Sequence, residues 1–184
     1  MSPFVALMWV WVAWALSWWL AAFWANRTEA KPSLTLELPY RFVTVAGAAF
    51  LFVPRLRIAT LWTAPLPLRW ALVGVAIASF AFCWWARIHL GRLWSSTVTR
   101  KSDHRIVDSG PYALVRHPIY TGIILAAAAT AGLKGSIGAV VGLVLIILGC
   151  WIKARLEERF LSAELGVEAY DAYRRRTGML FPGL

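Results

Sequence analysis

From Phe4 to Ala25 the chain carries no charged side chain, and six of these residues are tryptophan. As a helix rising 1.5 Å per residue, such a run crosses the roughly 30 Å hydrocarbon core of a bilayer. A helix this apolar has to be covered on every side by lipid or protein, which constrains the fold more than any other feature of the sequence. Four further apolar runs follow. Together they predict an all-α integral membrane protein of five transmembrane helices, at about 4–25, 40–58, 69–88, 118–133 and 135–152, forming one membrane domain over 1–184. The second run is the weakest, because it is uncharged only from Phe42 to Pro54 and Arg55 and Arg57 must snorkel to the interface. The first lacks a basic leader and has Phe23 where signal cleavage requires a small residue, so it is read as an anchor. Composition agrees: 60% hydrophobic residues, 12 Trp and a mean hydropathy of +0.62 lie outside the range of soluble domains. No polar segment is long enough to bury a core of its own.

The net charge of +10 has a topological reading rather than a nucleic-acid one, because Lys and Arg fall almost wholly between the apolar runs. If five runs cross, Arg55, Arg57, Arg69 and Lys134 lie on one side and every other Lys and Arg lies on the opposite side. The positive-inside rule then puts the N-terminus outside and the loop from Arg87 to Arg116 and the tail in the cytosol. The expected location is the cell (inner) membrane, as a multi-pass protein. Cys83 and Cys150 sit inside apolar runs without a second ligand at metal spacing, so neither a disulfide nor a metal is indicated. No nucleic acid and no obligate protein partner is inferred. Gly122, Ala126 and Thr130 in the fourth run, and Gly138 and Gly142 in the fifth, are small-residue stripes of the kind that let membrane helices approach closely.

Two polar clusters flank the last hairpin. In "GPYALVRHPIYTG", residues 110–122, Pro118 suits the first turn of a helix and disfavours helical geometry at His117, which places His117 at the N-cap. A helix starting there directs backbone N–H groups and a positive dipole end at the interface, suited to a carboxylate or phosphate. Tyr112 and Tyr120 add aromatic faces, and the turn at "SGP" folds the loop back over the same spot. The same residues also suit simple anchoring at headgroup level. Beyond the hairpin, "KARLEERFLSAELG" continues the fifth helix. Lys153 and Glu157, four apart, can pair, whereas Glu158 points about 100° away, so only one of the two carboxylates is expected in any one pocket. Gly166 ends this segment, and "VEAYDAYRRR" forms a last short helix.

"GPYALVRHPIYTG", the hairpin, "EERFL", and "Y..YRRR" ending in "LFPG" resemble the isoprenylcysteine carboxyl methyltransferase and phospholipid methyltransferase family, whose pattern is RHPxYxG followed by paired glutamates. "HLGRLWS", residues 89–95, is similar to the segment preceding that pattern in bacterial members. The resemblance covers roughly the last 100 residues. It implies an S-adenosylmethionine-dependent methyltransferase with its cofactor in a pocket closed by the cytosolic loop, the hairpin and the tail, about 89–184. Carried over, the cofactor contacts fall on His104, Arg105, Ile106, Val107, Tyr112, His117, Pro118, Ile119, Tyr120 and Glu157. Substrate contact falls on Lys153, one turn before Glu157, with Arg155 nearby, while Arg116 is a further candidate to position a carboxylate. The implied acceptor is lipid-like or isoprenoid, either the carboxylate of a prenylcysteine-like molecule or a phospholipid amine. An amine must also lose a proton, for which His117 or Glu158 are candidates. Two other readings stand beside this one: an NADPH-dependent sterol or enone reductase, and a non-catalytic membrane scaffold.

Overall fold

The computed structural model describes residues 1–24, 28–30, 34–91, 100–101 and 106–183. Its helices are α1 (Pro3–Ala21), α2 (Leu34–Phe52), α3 (Leu66–Leu90), α4 (Pro111–Leu114), α5 (Pro118–Lys134), α6 (Ile137–Leu165) and α7 (Val167–Arg176). Local chemistry sets several of these boundaries. Ser2 caps α1 by accepting from the Val5 amide, with Pro3 in the first turn. Ser136 does the same for α6 through the Ala139 amide. Between α5 and α6, Gly135 takes the left-handed conformation at φ 55°, which a residue with a Cβ would adopt only under strain.

Among the described residues, three helical stretches are long and apolar enough to cross a membrane: Pro3–Ala21, Leu66–Leu90 and Ile137–Ala163. The apolar α5 is shorter, at 17 residues. Two boundaries differ from the sequence expectation. α2 begins at Leu34 rather than near Tyr40, since Glu37 and Arg41 pair one turn apart and stabilise a polar first stretch of helix. It also stops at Phe52, so Arg55 and Arg57 lie in a separate 3-10 turn, Pro54–Arg57, and do not snorkel from a continuing helix. α3 in turn carries Arg87 inside its last turn, fully buried, with its guanidinium donating to the carbonyls of Gly91 (2.7 Å) and Ala21 (2.8 Å). A residue that reads as a loop cation therefore ties the ends of α1 and α3 together.

The small residues explain who packs on whom. α2 lies mainly on α6, and α3 on α5, more extensively than the two hairpin helices lie on each other. A Cβ at Gly142 would stand 2.8 Å from the Gly47 carbonyl of α2, and one at Gly122 would overlap the Cys83 sulfur of α3. The stripes are thus seats for α2 and α3. Two buried clusters result, one around Leu7, Phe80, Cys83 and Ala126, the other around Leu51, Ile124, Ile146 and Cys150. The tryptophans of α1 divide by face. Trp11 and Trp14 pack on Phe80, and Trp11 Nε1 donates to Thr130 Oγ1 at 3.0 Å, whereas Trp9 and Trp19 are each 62% exposed.

Connections group at two ends. Thr28–Ala30 pairs antiparallel with Arg100–Lys101, joining the segments after α1 and α3. At the opposite end Thr60 pairs with Ser136, and the Leu61 amide donates to the Gly135 carbonyl at 2.7 Å.

Candidate functional site

His117 is the N-cap of α5, with Pro118 in the first turn, and its side chain does not cap the helix. The chain just before it is clasped by the tail. The Arg116 amide donates to the Gly178 carbonyl (2.8 Å), the His117 amide to that of Met179 (3.1 Å), and Thr121 Oγ1 to that of Leu180 (2.6 Å). The backbone donors expected to face a ligand are thus partly used by "TGML", which accounts for the tail's return to this point. Of the first-turn residues, Pro118 has no amide proton, leaving Ile119 and Tyr120 as the donors of the helix start.

The imidazole freed from capping lies between the paired glutamates of α6. Nδ1 is 3.4 Å from Glu157 Oε2, and Nε2 is 3.3 Å from Glu158 Oε1. Here the structure corrects the expectation that only one carboxylate would enter. Two side chains 100° apart on a helix can straddle a flat ring whose nitrogens face opposite ways, and His117 is that ring. Tyr120 stacks on it, with centroids 5.4 Å apart and planes 10° from parallel.

Around this triad the two carboxylates have different company. Glu157, 18% exposed, accepts from Tyr120 Oη at 2.6 Å and lies 4.0 Å from Lys153 Nζ. The Lys153 ammonium sits 5.3 Å over the Tyr120 ring and 5.5 Å over that of Tyr40. Glu158, 4% exposed, takes Arg116 Nε at 2.7 Å, with Arg174 Nε at 3.7 Å. Arg116 also donates through Nη1 to the carbonyls of Thr177 and Arg174. Glu158 and Arg116 therefore lock α5, α6 and the tail together, while Glu157 keeps an open edge. Burial pushes His117 towards neutrality, but its hydrogen bonds to Glu157 and Glu158 and their charges outweigh that and hold its pKa above the usual 6.5.

The remaining candidates spread outward. Tyr112 is buried, its carbonyl accepts from Tyr173 Oη at 2.7 Å, and its ring lies beside that of His89. Burial first, and the charge of Glu157 second, raise the Tyr112 pKa. Pro118 is buried; Ile119 is half-buried and its carbonyl meets Cys83 Sγ at 3.4 Å. Ile106 and Val107 are half-buried, next to Asp108, which pairs with Arg176 of α7 at 3.3 Å. His104 and Arg105 lie outside the described residues. Arg155, two positions past Lys153, lies over the Trp151 ring at 5.3 Å and on the Glu158 side of α6, where it lines surface cavities with Arg116, Glu158 and Arg174 rather than sitting beside Lys153. Arg116 is present and paired with Glu158. Sequence reasoning missed Tyr40, whose run carried no signature. Tyr173 and Thr177 lie in and beside "Y..YRRR", so a signal for them was present.

Residues 72–163 match the isoprenylcysteine carboxyl methyltransferase (ICMT) family. That span contains both His117 and the glutamate pair. The chain belongs to the ICMT family. A curated relative, the cobalt-zinc-cadmium resistance protein CzcN of Cupriavidus metallidurans, is 32% identical over 128 residues, which is 67% of this chain and 52% of that protein. The chain thus spans about half the length of the curated relative it matches. ICMT-family membership makes the His117–Glu157–Glu158 arrangement the place to look for methyltransferase chemistry.

Proposed function

We propose that this chain is an S-adenosylmethionine-dependent methyltransferase of the cell membrane, with five crossing helices, the N-terminus outside and the tail in the cytosol. The observation that carries the reading is His117 held between Glu157 and Glu158 and stacked on Tyr120, where the two halves of the family motif meet. These residues fit the cofactor by chemical type. Glu157, with an open edge, accepts from the ribose hydroxyls; both ring nitrogens of His117 already face glutamates, so the Ile119 and Tyr120 amides at the helix start suit the amino-acid carboxylate; the Tyr120 ring tolerates a sulfonium. Ile106, Val107 and Tyr112 supply the apolar and aromatic wall, and His104 and Arg105 belong to the same segment. When bound, the cofactor supplies an electrophilic methyl group.

The protein's part is to orient the acceptor and keep water out. Lys153, beside Glu157 and over two tyrosine rings, positions the anionic end of a lipid-like or isoprenoid acceptor, with Arg155 on the Glu158 side of the same helix. Among the described residues the two candidate proton acceptors are poorly placed for an amine. Glu158 is buried against Arg116, and His117 is biased towards protonation. A carboxylate acceptor needs no base, so we favour a prenylcysteine-like carboxylate over a phospholipid amine.

Thermal unfolding of the purified chain tests the cofactor class. S-adenosylhomocysteine at about 100 times its Kd adds about 2.7 kcal/mol of stability and raises Tm, whereas NADPH leaves Tm unchanged. Protection by NADPH alone would replace this reading with a reductase.

A further inference from the structure

At the end of the bundle away from His117, a cavity of about 540 Å³ opens between the starts of α1 and α3 and the ends of α2 and α5. Three cations line it, Arg57, Arg69 and Lys134, together with the aromatic rings of Phe4, Phe52 and Trp62. Arg57 donates to Thr60 Oγ1 at 3.0 Å and Lys134 donates to the Leu51 carbonyl. The Arg69 Nε is buried and has no hydrogen-bond partner among the described residues. Among the described residues no carboxylate lines the cavity, and the sequence has no Asp or Glu from Leu38 to Ser102 or from Ser109 to Leu156.

The walls are fixed. Trp62 Nε1 donates to the Gly132 carbonyl at 2.9 Å, and the segment before it is hydrogen-bonded across the hairpin turn through the Gly135 carbonyl and the Ile137 amide. Three like charges around one open cavity, the Arg69 Nε among them buried and unpartnered among the described residues, favour an anion with several acceptor oxygens. A phosphate has that geometry, and the aromatic side of the cavity suits the apolar part of the same molecule. The volume lies within the range of small-ligand pockets, about 300–1,000 Å³.

We propose that this cavity binds the phosphate head of an acidic lipid, with Arg69, Arg57 and Lys134 on the phosphate and the rings against the start of its chains. The site is separate from the His117 cluster, at the far end of a 17-residue helix, and its occupancy does not depend on methyl transfer.

The test uses the full chain in phosphatidylcholine nanodiscs with or without phosphatidylglycerol, followed by native mass spectrometry of the lipids retained after transfer to detergent. The wild type retains phosphatidylglycerol in preference to phosphatidylcholine. Arg69→Gln and Arg57→Gln each reduce that retention about fivefold, the worth of a cation near an anionic surface. Arg55→Gln, on the same end but outside the cavity, leaves it unchanged. Inorganic phosphate alone does not raise Tm in detergent. Equal retention of the two lipids, or retention unaffected in both cavity variants, overturns the proposal. So does an equal loss in Arg55→Gln, which would mean diffuse surface charge. A rise in Tm with inorganic phosphate matching that with phosphatidylglycerol would assign the cavity to a free anion and overturn the lipid.

Discussion

The two ends of α5 handle charge in opposite ways. At its start, Arg116, His117 and Lys153 are met by Glu157 and Glu158, and the pairs draw α5, α6 and the tail into one network. At its finish, Arg57, Arg69 and Lys134 gather in a cavity that, among the described residues, no carboxylate lines. The first end is organised by the protein's own counter-charges, so its geometry is set before a ligand arrives. The second has polar demand left over, which is how a site for an external anion differs from a structural ion pair. Charge of one sign marks a place; whether the opposite sign is folded against it separates positioning from binding.

Arg116→Ala separates the ends most strongly. It leaves Glu158 buried without its main partner and removes the side-chain bonds to the Thr177 and Arg174 carbonyls of the tail, and the expected loss is about 3–5 kcal/mol, read from thermal unfolding in detergent. Arg57→Ala, at the other end, should cost no more than about 1 kcal/mol. Similar losses would erase the distinction between a locked end and an open one. Next in size is Glu157→Gln, which keeps an acceptor for Tyr120 but removes the charge. Affinity for S-adenosylhomocysteine is expected to fall about 10- to 100-fold by calorimetry, the worth of hydrogen bonds to a charged group.

A pH titration probes the same end. Because the folded pKa of His117 is raised above 6.5, its protonation stabilises the fold fully below that value. The contribution is lost as pH rises through the folded pKa. Wild-type Tm should therefore decline relative to His117→Asn as pH is raised from 6 towards alkaline values; parallel curves would mean that the imidazole is not held by the carboxylates. The smallest effect is that of Tyr120→Phe, which removes one donor to Glu157 and should cost about 1 kcal/mol in the same melts.

Much of this arrangement is legible in the chain itself. Pro118 dictates a helix start and His117 its N-cap, and the 3.6-residue period puts Lys153 beside Glu157; both are seen. The second helix was harder to read. Hydropathy places its start where charge ends, but the Glu37–Arg41 pair is itself helical, so α2 begins earlier and brings Tyr40 under Lys153. Arg87 misled for the related reason that a cation at a helix end can cap carbonyls in the interior instead of meeting water. The entry of both glutamates is a tertiary fact: helical geometry separates them by about 100°, and only a ring placed between them makes that separation a clamp. The docking of Gly178 and Met179 on Arg116 and His117 is likewise carried by backbone groups, which no residue type announces.

The most direct test of the central claim is methyl transfer itself. Membranes carrying the chain are incubated with methyl-labelled S-adenosylmethionine, the lipids are extracted, and the extract is treated with mild base. The expected result is label in the lipid fraction that base releases as from a methyl ester, reduced at least about tenfold by Glu157→Gln. Label absent from the lipids, or undiminished in that variant, would contradict a methyltransferase site built on His117 and Glu157.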